Sequence, residues 1–260
     1  MKLLETINAH RKPSAVFIPS IDEMYPSGIV QDVAEQKGTF VEVKGYCHQM
    51  EGESRPTFFR GVATVVTKLF NIIQVSLYLW SFGIPSHLNL SQPDNTYFGQ
   101  KDIQQALLLK RLCRDLCLAY PENQNLHIIP IVRDPIDGLA LSSRNVYLTS
   151  DGRKVASTLR QALLTAEKAW SLGLTKSECL QRATHIIEVR RTQASSAGMQ
   201  VEMNLDYIQM NDADTFDVLE PHAQRSDDIS RVIILSGALY VDDTRLIDNI
   251  LLGDVKEILG

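Results

Sequence analysis

The sequence predicts an α/β protein with a smaller α+β part at its C-terminal end, and three stretches carry that reading. Thr96, Tyr97 and Phe98 have the β-branched and aromatic character of a short strand. The strand breaks at Gly99 and gives way to an amphipathic helix through Ile103, Ala106, Leu107, Leu109, Lys110 and Cys113 to about Leu118. Residues 126–132 read as a second buried strand, again followed by a loop containing glycine. Past Leu148 the pattern changes to capped helices and then strands, so two domains are expected, residues 1–148 and 149–260.

Composition narrows the class. A chain of 260 residues with 44% hydrophobic residues can bury one large core or two modest ones. A net charge of -5 gives no basic field, which argues against nucleic acid as a principal partner while leaving room for a local phosphate pocket. Cys47, Cys113, Cys117 and Cys179 form no Cys-x-x-Cys pair and no zinc spacing, as expected of reduced thiols inside a cell. The first residues are not those of a secretory signal, and no uncharged run is long enough to span a bilayer. The expectation is a cytoplasmic protein with no membrane partner and no metal held by protein ligands alone.

In chain order, residues 3–10 read as the tail of a helix, and residues 15–18 as a buried strand closed by Pro19 and Ser20. Residues 22–28 form a turn or short helix, and residues 39–43 alternate as a strand does. Glu51-Gly52-Glu53-Ser54-Arg55-Pro56-Thr57-Phe58-Phe59-Arg60-Gly61 sets two arginines and two aromatics around a proline, which fits either a functional loop or a solvated cap for the next helix. Val62, Val65, Val66, Leu69, Phe70 and Ile73 then keep helical spacing, predicting a helix packed on a sheet.

Residues 75–92 contain no Asp, Glu, Lys or Arg and intervene between that helix and the strand at Thr96, where an α/β unit usually needs about 2–6 residues. The segment opens Val75-Ser76, which GTAAGT would encode, and closes on Gln92, whose codon can be CAG. These are splice-site sequences, so the segment is read as a retained in-frame intron, with a lid or a partner-binding patch as the functional alternatives.

The helix that begins after Gly99 would leave backbone N–H groups unpaired at the positive end of its dipole, an arrangement suited to anions. Lys101 adds charge there, Asp102 an acceptor for a sugar hydroxyl, and Gln104 and Gln105 amides one turn on. An ordinary βα turn with Asp102 as N-cap explains the same residues. After the second strand, Arg133 and Asp137-Gly138-Leu139-Ala140-Leu141-Ser142-Ser143-Arg144-Asn145 offer two hydroxyls, a guanidinium and an amide behind a glycine. That set can hold a polyphosphate, and singly it is also a common helix entry. Two such loops at the ends of neighbouring strands make phosphate binding the working expectation. Thr149 and Ser150 then cap a helix to about Trp170, Thr175 and Glu178 form a capping box for a helix to Val189, residues 193–198 read as a loop, and residues 205–210 and 232–241 as strands.

Taken together, the 51–62 stretch, the helix to Asn71, Pro93-Asp94 with residues 97–105, the run from Asp137 to Leu148 and Thr244-Arg245-Leu246-Ile247-Asp248-Asn249 resemble the pantothenate synthetase (pantoate–β-alanine ligase) family over nearly the whole chain. The resemblance implies a Rossmann-like nucleotidyltransferase domain of the adenylate-forming, HIGH-type superfamily, followed by a C-terminal α+β lid, in a homodimer. It implies a ligase that uses ATP and Mg²⁺ to join pantoate to β-alanine through pantoyl adenylate, releasing AMP and pyrophosphate. By position, Gly99, Gln100 and Asp102 fall at the nucleoside, Lys101 at the phosphates, Val132 at the adenine pocket, and Leu141, Ser142, Ser143 and Arg144 in the phosphate loop. Lys101, Ser142, Ser143 and Arg144 would carry the catalysis, Gln105 and Arg55 would bind pantoate, and Glu51 would support the pocket. Gln100 stands where many members have glutamate, and Phe58 where many have histidine.

The family's opening strand and its His-x-Gly-His turn have no counterpart here. His10, His48, His87, His127, His185 and His222 are isolated from one another. The chain is therefore read as starting within its first domain, and as it stands it is expected to be inactive or severely impaired. A non-catalytic fragment that binds nucleotide or dimerises is the alternative, and an interaction module docking through residues 75–92 is a third.

Overall fold

The computed structural model describes residues 16–30, 32–46, 48–55, 57–73, 76–81, 84–89, 95–225 and 231–259. The expected helix tail at 3–10 lies outside them. So does Ala15, but Val16, Phe17 and Ile18 are described and form no strand, with half or more of each side chain exposed. An apolar run becomes a strand only where a neighbour accepts its backbone hydrogen bonds, and the parallel sheet offers none here. Ser20 instead caps helix α1 (Ile21–Met24) in a capping box with Glu23. Residues 39–43 are also not a sheet strand. They lie beside a helix, where the Val41 N–H donates to Thr64 Oγ1 at 3.0 Å.

Helix α2 (Glu51–Ser54) and helix α3 (Phe58–Ile72) follow. The buried face of α3 is Phe59, Ala63, Val66 and Phe70, one step round from the predicted stripe, so Val62 and Val65 are only partly buried and Ile73 is exposed. Within residues 75–92, β1 (Ser76–Ser81) and β2 (Ile84–Asn89) pair antiparallel as a hairpin bonded to no other strand.

Strand β3 (Thr96–Gly99) lies parallel to β4 (Leu126–Ile129), in register Thr96 with Leu126 through Gly99 with Ile129. Strand β4 stops before Pro130, short of the predicted Val132, because proline has no N–H to give the ladder. A 3₁₀ turn at Gln100–Asp102 leads into α4 (Ile103–Asp115). Ile103, Ala106, Leu109, Leu112 and Cys113 join Phe59, Phe70, Leu126 and Ile128 in one core.

The predicted helix to Trp170 is two helices, α5 (Ser150–Val155) and α6 (Thr158–Ser171). The break falls where the Thr158 hydroxyl donates to the Val155 carbonyl at 2.6 Å, competing with the helical backbone bonds. Helix α7 (Lys176–Ser196) starts on the predicted Thr175/Glu178 box but runs past Val189, so Gln193–Ser196 is helix rather than loop. It ends at Gly198, whose φ of 69° suits the left-handed stop that glycine tolerates.

Strands β5 (Met203–Asp212), β6 (Ile233–Val241) and β7 (Thr244–Leu252) form an antiparallel sheet in that order, and α8 (Lys256–Leu259) ends the described chain. Leu235, Leu239 and Val241 of β6 pack with α6 and α7 in a second core, whereas Ile234 enters the first. The molecule is thus a mixed α/β fold: a parallel βα unit and a small antiparallel α+β unit meeting along the central strand. Among the described residues no helix is long and apolar enough to cross a membrane.

Candidate active site

The two units enclose a cleft of about 230 Å³ beside the start of α4. From the parallel unit come Glu51, Arg55, Lys101, Asp102 and Gln105; Ser142, Ser143 and Arg144 come from the loop after β4. The antiparallel sheet supplies Tyr207, Ser236, Asp248 and Asn249 as the facing wall.

Of the residues singled out from sequence, the structure brings together Arg55, Lys101, Asp102, Gln105, Ser142, Ser143 and Arg144. Gly99, Gln100, Val132 and Leu141 do not line this cleft. Gln100 is buried and its amide donates to Asn249 Oδ1 at 3.1 Å, while Val132 and Leu141 are exposed near the mouth of the loop. Gly99 has φ -79°, available to any residue, and a Cβ added there would meet no atom within 4 Å, so open space lies in front of it. Asp102 does not cap α4: its side chain makes no capping bond and lies at the cleft.

The setting of Lys101 opposes its charge. Burial holds its ammonium below the ordinary lysine value, and repulsion from Arg144 acts the same way, against the attraction of Asp102, Asp248 and Glu51. Among the described residues its ammonium has no hydrogen-bond or ion-pair partner. An incoming anion would relieve that frustration. Ser143 and Arg144 belong to a 3₁₀ turn spanning Ser143–Tyr147, capped by Ser142, whose Oγ accepts from the Arg144 N–H at 3.2 Å. The Arg144 guanidinium donates to the Arg245 carbonyl at 3.4 Å, which leaves most of its fork unused.

Two of the three carboxylates at the cleft are committed. Asp248 accepts both arms of Arg133 at 2.8 and 2.9 Å. Glu51 accepts Arg245 at 2.7 and 3.0 Å and the Tyr207 hydroxyl at 2.8 Å. Burial pushes the Glu51 carboxyl up, but the Arg245 and Tyr207 bonds outweigh it and hold it below its ordinary value. Burial and the Glu51 charge push the Tyr207 hydroxyl well up. Among the described residues no cluster of three His, Cys, Asp or Glu is placed to hold a metal ion.

Sequence reasoning missed Tyr207 and Ser236, for which no local signal exists, and had Thr244–Asn249 only as a resembling run with no role in the site. The clue there was an arginine, an aspartate and an asparagine set into an otherwise apolar strand.

A βα unit that delivers a lysine and a serine–arginine loop to a cleft roofed by an antiparallel sheet defines a mixed α/β protein of the nucleotidyltransferase class. The family model of pantoate-beta-alanine ligase matches residues 1–83 and 84–251 in two pieces, divided inside the 75–92 segment. The pantothenate synthetase of Moorella thermoacetica is 40% identical over 238 residues, covering 92% of this chain and 68% of that protein. The pantoate–β-alanine ligase of Saccharomyces cerevisiae is 38% identical over 259 residues, covering 97% and 74%. The crystal structure of pantothenate synthetase from Thermus thermophilus superposes with a TM-score of 0.65 at 32% identity, covering 89% of this chain and 67% of that one. The chain belongs to the pantoate-beta-alanine ligase family.

Proposed function

We propose that this cleft performs the family's ligation: ATP activates pantoate as pantoyl adenylate, releasing pyrophosphate, and the amine of β-alanine then displaces AMP to give pantothenate. The observation that carries the reading is the convergence of Lys101, Ser142, Ser143 and Arg144 from two separate loops onto one cleft that also holds Arg55 and Gln105. When the pantoate carboxylate attacks the α-phosphorus, negative charge builds on the phosphoryl oxygens. Lys101 and the free donors of Arg144 offset it, with the two serine hydroxyls as further donors, and no protein nucleophile is needed. Arg55 and Gln105 hold pantoate; Asp102 takes the nucleoside side of the cleft, with Gly99 and Val132 beyond its lining on the same side, Gln100 acting through its buried bond to Asn249, and Leu141 at the base of the phosphate loop.

Glu51 and Asp248 at the cleft are already paired with arginines, which leaves Asp102 as its single carboxylate outside an ion pair among the described residues. Mg²⁺ therefore fits as the counterion that arrives on the ATP phosphates rather than as an ion held by a protein cage. The division near residues 148 and 149 into a nucleotide-binding domain and a lid draws support from the core built on α6, α7 and the antiparallel sheet, while Ala213, Phe216 and Ile234 tie that sheet into the other core. The free cysteines among the described residues accord with a cytoplasmic protein, and a homodimer is the expected assembly.

The test is exchange of labelled pyrophosphate into ATP with pantoate present and β-alanine absent. Exchange that requires pantoate and is lost in Lys101→Gln supports adenylation. Nucleotide binding without exchange would replace it with a binding-only role.

A further inference from the structure

Helix α2 is too short to hold itself in place. It has four residues, Glu51–Ser54, and no side-chain cap. Its N-cap, Met50, sits at φ 52°, a left-handed conformation that a non-glycine residue adopts only when its surroundings impose it. The surroundings are polar and specific. The Glu51 N–H donates to Gln104 Oε1 at 3.0 Å, and the Glu51 carboxylate is gripped by both arms of Arg245 and by the Tyr207 hydroxyl. Arg245 is itself fixed, its side chain only 10% exposed and its Nε donating to Asp206 at 2.9 Å. The grip thus runs from the antiparallel sheet across the cleft to α2.

Arg55 stands at the other end of that helix. It is the C-cap of α2, its N–H bonded to the Gly52 carbonyl at 3.2 Å, so its backbone moves with the helix. Its guanidinium lies 5.6 Å from the Phe58 ring centre and has no carboxylate within ion-pair reach among the described residues. Arg55 has no ion pair among the described residues and can meet a substrate carboxylate; Glu51, one helical turn away, attracts it through its charge, but the Glu51 oxygens are held by Arg245 and Tyr207.

We propose that Arg245 is a positioning residue: through Glu51 it fixes α2 and so presents Arg55 to the hydroxy-acid substrate. This rests on the assignment of Arg55 to pantoate made above. The planar fork matters as well as the charge, because two parallel bonds set an orientation that a single ammonium cannot.

The test titrates pantoate and ATP separately into the chain and its Arg245→Lys, Arg245→Met and Glu51→Gln variants by calorimetry, with hydrogen exchange followed over residues 50–58. In Arg245→Met, pantoate affinity is expected to fall about tenfold or more while ATP affinity stays within about twofold, and residues 50–58 exchange faster; Arg245→Lys recovers part of the loss. Adding Glu51→Gln to Arg245→Met costs little more, since both act through one contact. Equal losses for both ligands, unchanged pantoate affinity, or unchanged exchange at 50–58 would overturn the inference. If the unsubstituted chain binds no pantoate, the proposed function fails, and the exchange data still decide whether Arg245 holds α2.

Discussion

Lys101 carries a charge that its setting opposes, and this makes its role measurable. Because burial lowers its pKa in the folded chain, keeping it charged costs stability in the empty cleft, a cost that is full below the lowered value and fades as pH rises from there to the ordinary 10.5. A bound phosphate reverses the preference. ATP affinity is therefore expected to be flat below the lowered pKa and to decline as pH rises through it, with proton uptake on binding in that window, read by calorimetry in buffers of different ionisation heat. Lys101→Gln should lose about 1.5–3 kcal/mol of ATP binding, the net worth of a hydrogen bond to a charged group. Glu51 has the opposite sign. Its folded pKa lies below the ordinary 4.5, so its contribution to stability is present above that value and is lost as pH falls through the lowered one. Glu51→Gln should flatten the acid limb of a plot of melting temperature against pH. Lys101 and the Ser142–Arg144 run were legible in the sequence because their meaning is local: charge and hydroxyls directly after a strand. Tyr207 was not, because its partner Glu51 lies 156 positions away in the chain and only the packing of the antiparallel sheet against α2 brings the two together.

Elements followed the same rule. The Thr175/Glu178 box fixed the start of α7, since both partners sit within one turn. Its end was misplaced, since the stop depends on the backbone that Gly198 adopts rather than on a change in polarity. Residues 16–18 read as a strand on composition, yet strand identity belongs to a pair and no partner is present among the described residues. The central strand β6 shows what packing adds. A Cβ on Gly237 would lie 3.0 Å from Leu159 Cδ1 of α6 and 3.0 Å from the Tyr207 carbonyl oxygen. The missing side chain lets the helix and the neighbouring strand close on β6 together. Gly237→Val is expected to destabilise the chain by about 1–3 kcal/mol, the usual cost of overpacking, measured by urea unfolding. An unchanged unfolding midpoint would mean that α6 can retreat without loss.

At the scale of the whole molecule, two cores share β6, and the candidate cleft lies where they meet. The β1–β2 hairpin stands apart from that arrangement. Its six residue pairs run from Ser76 with Asn89 to Ser81 with Ile84, and among the described residues no other strand joins it. It also lies where the family match divides, between residues 83 and 84. A segment that pairs only with itself contributes to stability mainly through the length of the connection it makes, and doubling a loop costs only about 0.6 kcal/mol. Deleting residues 75–92 and joining Gln74 to Pro93 is therefore expected to leave the melting temperature within about 2 °C and the ATP affinity unchanged. A larger fall in melting temperature would show that the hairpin covers part of a core and belongs to the folded unit. If the deletion is silent and the mature transcript lacks the corresponding codons, the hairpin is a product of unspliced message. If the transcript retains them, the same silent deletion identifies a tolerated surface insertion in a family ligase.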